Sequence, residues 1–153
     1  MANRTNLEPG IIPRPKLMVR LILEQDDHVV ALKRRKKIGG GYGLVGGSVS
    51  KGESLKDALI REANEEIGVI LDKDLLKLVH VMHRFKKSTQ TESLVFFFSY
   101  MTKPQTLQVR EANKFKEVVW LPVNNLPQNM SSSLLEGMIS AVRGINYSEI
   151  IVE

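Results

Sequence analysis

Cysteine is absent from the 153 residues, which excludes a disulfide scaffold, a thiol nucleophile and cysteine-bound zinc. Histidine is scarce: His28, His80 and His83 are the whole supply. The last two lie in a segment that reads as a strand, where side chains three apart face opposite sides and cannot grip one ion together. No apolar run approaches the roughly 20 residues of a membrane span. Met1–Arg4 carries a charge with no apolar stretch behind it, so no signal peptide is expected, and the cytoplasm is the expected compartment. Neither a G-x-S-x-G elbow nor a G-x-x-x-x-G-K-S/T loop occurs, which removes the serine-hydrolase and P-loop readings.

What is present suffices for one domain. A hydrophobic content of 42% gives a core able to fold alone. Residues 1–15, with Pro9, Pro13 and Pro15, read as an extended lead-in, and 16–153 as the single domain. Leu17–Leu23 and His28–Lys33 read as a hairpin across Gln25-Asp26-Asp27, followed by a short strand over Tyr42–Val45. Leu75–Phe85 and Glu92–Met101 read as two longer strands, and Val118–Leu121 as another. Within the second of the long strands, Leu94–Phe98 is apolar on both alternating faces, which asks for a helix above and a helix below. Ser131–Val142 carries helical spacing. Two helices around a mixed sheet make an α/β/α sandwich.

The 22 basic residues against 17 acidic ones give a net charge of +5, which suits a polyanionic partner. The densest basic run is Lys33–Lys37, and within it Arg34 and Arg35 are candidates for phosphate contact. Arg84, near a strand end, is a third candidate.

Most of the information lies in Gly47–Val69, GSVSKGESLKDALIREANEEIGV. Gly47, Glu53, Arg61-Glu62, Glu65-Glu66 and Gly68 stand in a register that chance would produce at roughly 10⁻⁸ per starting position. From Ser54, a plausible N-cap, to Gly68, a C-terminal stop, the segment reads as a helix. Glu62, Glu65 and Glu66 then fall within one arc bordering the apolar stripe, with Arg61 at its edge. Carboxylates crowded in this way repel by a few tenths of a kcal/mol per pair. A hard divalent cation offsets that repulsion: Mg²⁺ takes a few carboxylates plus substrate phosphates and water.

Gly47-x5-Glu53-x7-Arg61-Glu62-Ala63-x-Glu65-Glu66-x-Gly68-Val69 resembles the Nudix box at every defining position. Trp120-Leu121-Pro122 is similar to a later segment of that family, and the resemblance extends over residues 16–143. Val45 stands where many members have proline, and Ser50 where many have glutamate. The resemblance implies a Nudix-like α/β/α sandwich that hydrolyses a nucleoside diphosphate linked to another moiety, X, with Mg²⁺ or Mn²⁺. It implies Glu62, Glu65, Glu66 and the Gly47 carbonyl as metal ligands, with Glu53 and Arg61 paired to brace the loop and helix. The general base is expected among the box glutamates, with Glu111 and Glu117 as loop alternatives. Tyr42 lies where nucleotide-binding relatives often place an aromatic near the base; core packing is the competing assignment.

On substrate, no proline occurs between Pro15 and Pro104, and no tyrosine between Tyr42 and Tyr100. The proline associated with ADP-ribose and the tyrosine associated with dinucleoside polyphosphates are therefore missing. What is left resembles the MutT-like group acting on nucleoside di- or triphosphates, oxidised ones included. The implied partner is a small-molecule nucleotide; neither membrane nor nucleic acid is expected, and a homodimer is left open. The rival reading is a Nudix-like domain that binds nucleotide or RNA without hydrolysing it.

Overall fold

The computed structural model describes residues 14–102 and 106–153. The lead-in expected over 1–15 thus lies almost wholly outside the described residues. The first strand, β1 (Lys16–Gln25), turns into β2 (His28–Arg34) through Asp26 and Asp27, both at positive φ (48° and 59°). Aspartate tolerates that conformation, and the turn's twist matches that of the strands it joins.

The single strand expected over Tyr42–Val45 is two: β3 (Tyr42–Gly43) beside β2, and β4 (Gly46–Ser48) beside β1. Gly46, at φ 147°, makes the break, because a side chain there would run into the Val19 carbonyl. Helix α1 (Leu55–Ile67) follows, with Ser54 Oγ accepting from the Asp57 amide (3.1 Å) and Gly68 closing the helix at φ 70°. Both ends lie where the sequence places them.

Strand β5 (Lys77–Lys86) starts two residues later than expected. Asp72 caps a short 3₁₀ turn over Lys73–Leu75, which withdraws Leu75 from the strand. Strands β6 (Thr91–Met101) and β7 (Phe115–Pro122), helix α2 (Ser132–Val142) and a final strand, β8 (Tyr147–Val152), complete the chain. The sequence gives little notice of β8. It is a six-residue edge strand with alternate residues exposed.

The strands form one mixed sheet in the order β3-β2-β1-β6-β5-β8, with β4 on β1 and β7 on β2. The β1–β6 and β5–β8 pairs are parallel. Alternation along β1 divides the core. Val19, Leu21 and Leu23 face α1, meeting Ala58, Leu59, Ala63 and Ile67. Ile22, with Val95, Phe97 and Met82, faces the α2 side and meets Met138. The apolar run in β6 is therefore buried from both sides, and the architecture is the α/β/α sandwich. Gly137 on α2 lets Phe97 lie flush against the helix: a Cβ there would stand 2.6 Å from Phe97 Cε2. No helix among the described residues is long and apolar enough to cross a membrane.

Candidate active site

Helix α1 leans its polar edge over β4, where two glycines leave room. Gly47 is paired with Val19, and a Cβ on Gly47 would stand 2.7 Å from Glu62 Cδ. The missing side chain is what admits the Glu62 carboxylate. One residue earlier, the Gly46 amide donates to Glu66 Oε2 at 3.4 Å.

Arg61 fixes the surrounding loop. Its Nε and Nη2 donate to the two oxygens of Glu53 (2.8 and 3.0 Å), a fork that suits the planar guanidinium. Nη2 also reaches the Ser48 carbonyl (3.2 Å), and Nη1 reaches Glu62 Oε1 (2.9 Å). The Ser50 amide donates to Glu53 Oε1 (3.0 Å). The Arg61 hydrogen bond, followed by the Ser50 amide, holds the Glu53 carboxyl down to about 2. The expected brace between Glu53 and Arg61 is present in full geometry.

Among the described residues Glu66 is the one acidic side chain in the core, only 5% exposed. Burial first, and then the neighbouring charge of Glu62, push its carboxyl up to about 9. In its protonated form Glu66 hydrogen-bonds Glu62, while the Gly46 amide and Arg20 pull the other way. Two carboxyl groups are thus held together at the edge of the core, where burial and the nearby Glu62 charge disfavour ionising Glu66. Arg20 supplies part of what is needed. Its Nη1 donates to the Leu44 carbonyl (3.2 Å), and its Nε is buried without a hydrogen-bond partner among the described residues. Burial lowers its pKa, against the opposing pull of Glu66 and Glu62.

These groups open into a pocket of about 530 Å³ lined by Glu62, Glu66, Gly47 and Arg61, with Arg20, Arg34 and Lys114 bringing positive charge. A divalent cation fits this donor set. Two carboxyl groups side by side, next to a glycine that leaves space, offer the oxygen ligands that a divalent cation completes with water and phosphate.

The third carboxylate does not join them. The Glu65 side chain is 49% exposed, and its Oε2 lies 3.4 Å from Arg61 Nη1, one turn back along the helix. Among the described residues no group of three or more histidine, aspartate or glutamate side chains is arranged to hold a metal. Of the three box glutamates, Glu62 and Glu66 therefore stand together beside β4, and Glu65 stands apart on the outer side of the helix next to Arg61.

The remaining candidates divide. Arg34 lines the pocket, its Nη2 donating to the Ile38 carbonyl. Arg35 does not: its Nε donates to the Ala112 carbonyl (2.5 Å) and its amide to the Lys114 carbonyl (2.8 Å), pinning the 111–115 turn. Tyr42 packs against the α2-side core and does not line the pocket. Glu111 pairs with Lys114 (2.7 Å) and Glu117 with Lys33 (3.2 Å), and neither lines the pocket. Arg84 lines a second cleft, which shares Arg20 and Leu134 with the first. His80 is buried, with Nδ1 donating to the Ile145 carbonyl and Nε2 bonded to Ser148 Oγ (both 2.7 Å), while His83 meets Glu92.

Sequence reasoning missed Arg20 and Lys114. Arg20 had a signal: it is a lone cation inside the apolar run from Leu17 to Leu23. Lys114, in a polar loop, had none.

The NUDIX domain model matches residues 14–139. The chain belongs to the Nudix family. Over 116 residues it is 29% identical to the ADP-ribose pyrophosphatase of Methanocaldococcus jannaschii, covering 74% of this chain and 66% of that protein, just under two thirds of its length. It is 28% identical over 118 residues to the uncharacterized Nudix hydrolase YvcI of Bacillus subtilis, covering 77% and 72% respectively. The crystal structure of a MutT NUDIX hydrolase from Burkholderia pseudomallei matches with a TM-score of 0.74 at 21% identity, covering 82% of this chain and 97% of that one. At that identity the likeness concerns the fold. In Nudix terms, the box supplies β4, the bracing loop and α1, and its Glu62 and Glu66 face the pocket.

Proposed function

We propose that this Nudix protein is a pyrophosphohydrolase that uses water to split a phosphoric anhydride bond in a nucleoside diphosphate linked to X. The observation that carries the reading is Glu62 beside the buried Glu66 in a pocket that Arg20, Arg34 and Lys114 also line. Acidic oxygens there bind cations, and Arg20, Arg34 and Lys114 bind the phosphates those cations accompany. Glu62 and Glu66, with the Gly47 carbonyl, would hold Mg²⁺ or Mn²⁺; Glu65, from its outer position, joins only by swinging away from Arg61. Bound there, the ion supplies neutralisation of phosphate charge and a lowered pKa for the attacking water. A box glutamate takes the proton of that water as its oxygen bonds to phosphorus, and the anhydride oxygen leaves with the departing phosphate. Arg61 and Glu53 keep the carboxylates in place throughout.

Nucleoside di- and triphosphates, oxidised ones included, are the substrate class the sequence favours, in the cytoplasm. The name of the M. jannaschii relative adds ADP-ribose to the candidates despite the missing proline. The test is phosphate or nucleotide release from a panel of both classes, with Mg²⁺ and with Mn²⁺. We expect turnover that chelation abolishes and that Glu66→Gln lowers by about 100-fold or more. Nucleotide binding without turnover of any member would replace the hydrolase with the binding domain.

A further inference from the structure

The larger of the two clefts, about 780 Å³, lies on the α2 side of the sheet and meets the carboxylate pocket at Arg20. Its walls are basic. Arg14, Lys16, Arg20 and Arg84 all line it, and among the described residues the only lining carboxylate, Glu92, has its Oε1 2.5 Å from His83 Nε2. The pairing of the strands explains the grouping. Ser93 of β6 is opposite both Lys16 of β1 and Arg84 of β5, so these three stand in one row across the sheet. Arg20 lies on the same face four residues along β1, about 13 Å from that row at the usual strand rise.

Two of the arginines hold donors that no group among the described residues satisfies. Arg20 Nε and Arg84 Nε are both buried with no hydrogen-bond partner among the described residues. A buried donor without an acceptor is costly, and several like charges around one cavity add to the cost. One aromatic ring, Phe85, lines the cleft beside four cations. Charge is therefore a stronger recognition element here than base stacking.

We propose that the moiety seated in this cleft carries a phosphate monoester, remote from the scissile diphosphate and gripped by Arg84 and Lys16 at the far row. The inference rests on the hydrolase reading of the carboxylate pocket, and it narrows the substrate class to nucleotides with an additional phosphate. Arg20, at the junction, lies between the two anionic groups and faces both.

The test uses the full chain with Mg²⁺ and matched pairs that differ by one phosphate: NADP⁺ against NAD⁺, coenzyme A against dephospho-coenzyme A, and ADP-ribose 2′-phosphate against ADP-ribose. In at least one pair the phosphorylated member should have the higher kcat/KM, by about tenfold or more. Lys16→Gln, at an exposed strand end, and Arg84→Gln should each collapse that ratio through KM. Equal kcat/KM within every pair, or a ratio untouched by both variants, overturns the proposal. If no pair is hydrolysed, titration of the protein with adenosine 2′,5′-bisphosphate and with adenosine 5′-monophosphate separates the two claims. Tighter binding of the bisphosphate that is lost in Lys16→Gln upholds the cleft while the hydrolase reading fails; equal binding overturns the cleft as well.

Discussion

Gly47→Ala isolates the geometry of the carboxylate pair from its chemistry, because it alters neither charge nor ligand. The Gly47 backbone lies outside the left-handed region, so alanine can adopt it without strain. The added methyl would stand 2.7 Å from Glu62 Cδ and 3.1 Å from Oε2, where ordinary contact begins near 3.4 Å. Oε1 of the same carboxylate lies nearer still, so one partner must give by about 1 Å. Strand β4 resists, since Gly46 and Gly47 are paired with Arg20 and Val19, so the displacement falls on the Glu62 carboxylate. A misplacement approaching 1 Å in a catalytic group costs on the order of 100-fold in rate. We expect kcat to fall by about 30- to 100-fold on that basis. Stability should barely move, because the gain of about 0.4–1 kcal/mol from a less flexible unfolded chain opposes the clash with a side-chain end. Gly52→Ala is the comparison. At φ 80° with open space around it, it should cost about 1 kcal/mol of stability through backbone strain and little activity. Steady-state kinetics with Mg²⁺, beside thermal melts of both variants, decides. A Gly47→Ala enzyme keeping more than about a third of wild-type kcat, or an equal loss in Gly52→Ala, refutes the argument.

The Glu66 carboxyl gives a pH signature. Its folded value of about 9 exceeds the ordinary 4.5, so between those limits the folded chain holds a proton that the unfolded chain releases. Without metal, this group's contribution to stability therefore declines as pH rises from 4.5 towards 9. Mg²⁺ takes the place of that proton, so the Mg²⁺-induced rise in Tm should grow between pH 6 and pH 9 and vanish in Glu66→Gln. A shift independent of pH, measured by differential scanning fluorimetry, contradicts the assignment. On the other helix, Gly137→Ala should lower stability by about 1–3 kcal/mol through overpacking against Phe97, outweighing the roughly 1 kcal/mol that alanine gains in a helix. A raised Tm would show that Phe97 yields freely.

What could be read from the sequence was local. Ser54 and Gly68 bound α1 through contacts spanning three or four residues, and the Asp26-Asp27 turn follows from what aspartate tolerates. The two-sided burial of Leu94–Phe98 was legible because one strand's own alternation encodes it. Periodicity also placed Glu62, Glu65 and Glu66 on one arc. It could not say which part of the arc β4 would cover, and that decided the fate of Glu65. Arg20 needed the β1–β4 pairing to bring it beside Glu66, and Arg35 was diverted by a carbonyl at Ala112, far along the chain. Strand β8 owes its place to a parallel partner, β5, and not to any pattern of its own.

The carboxylate pair and its brace all come from one stretch, Gly46 to Glu66, whereas the cations of the neighbouring cleft come from segments scattered from Arg14 to Arg84. On the proposed reading, bond-breaking and selectivity are inherited from different parts of the polypeptide, joined physically at Arg20 and Leu134. Descendants of such a chain could redraw what they recognise, strand by strand, without disturbing the twenty-odd residues assigned to the cutting.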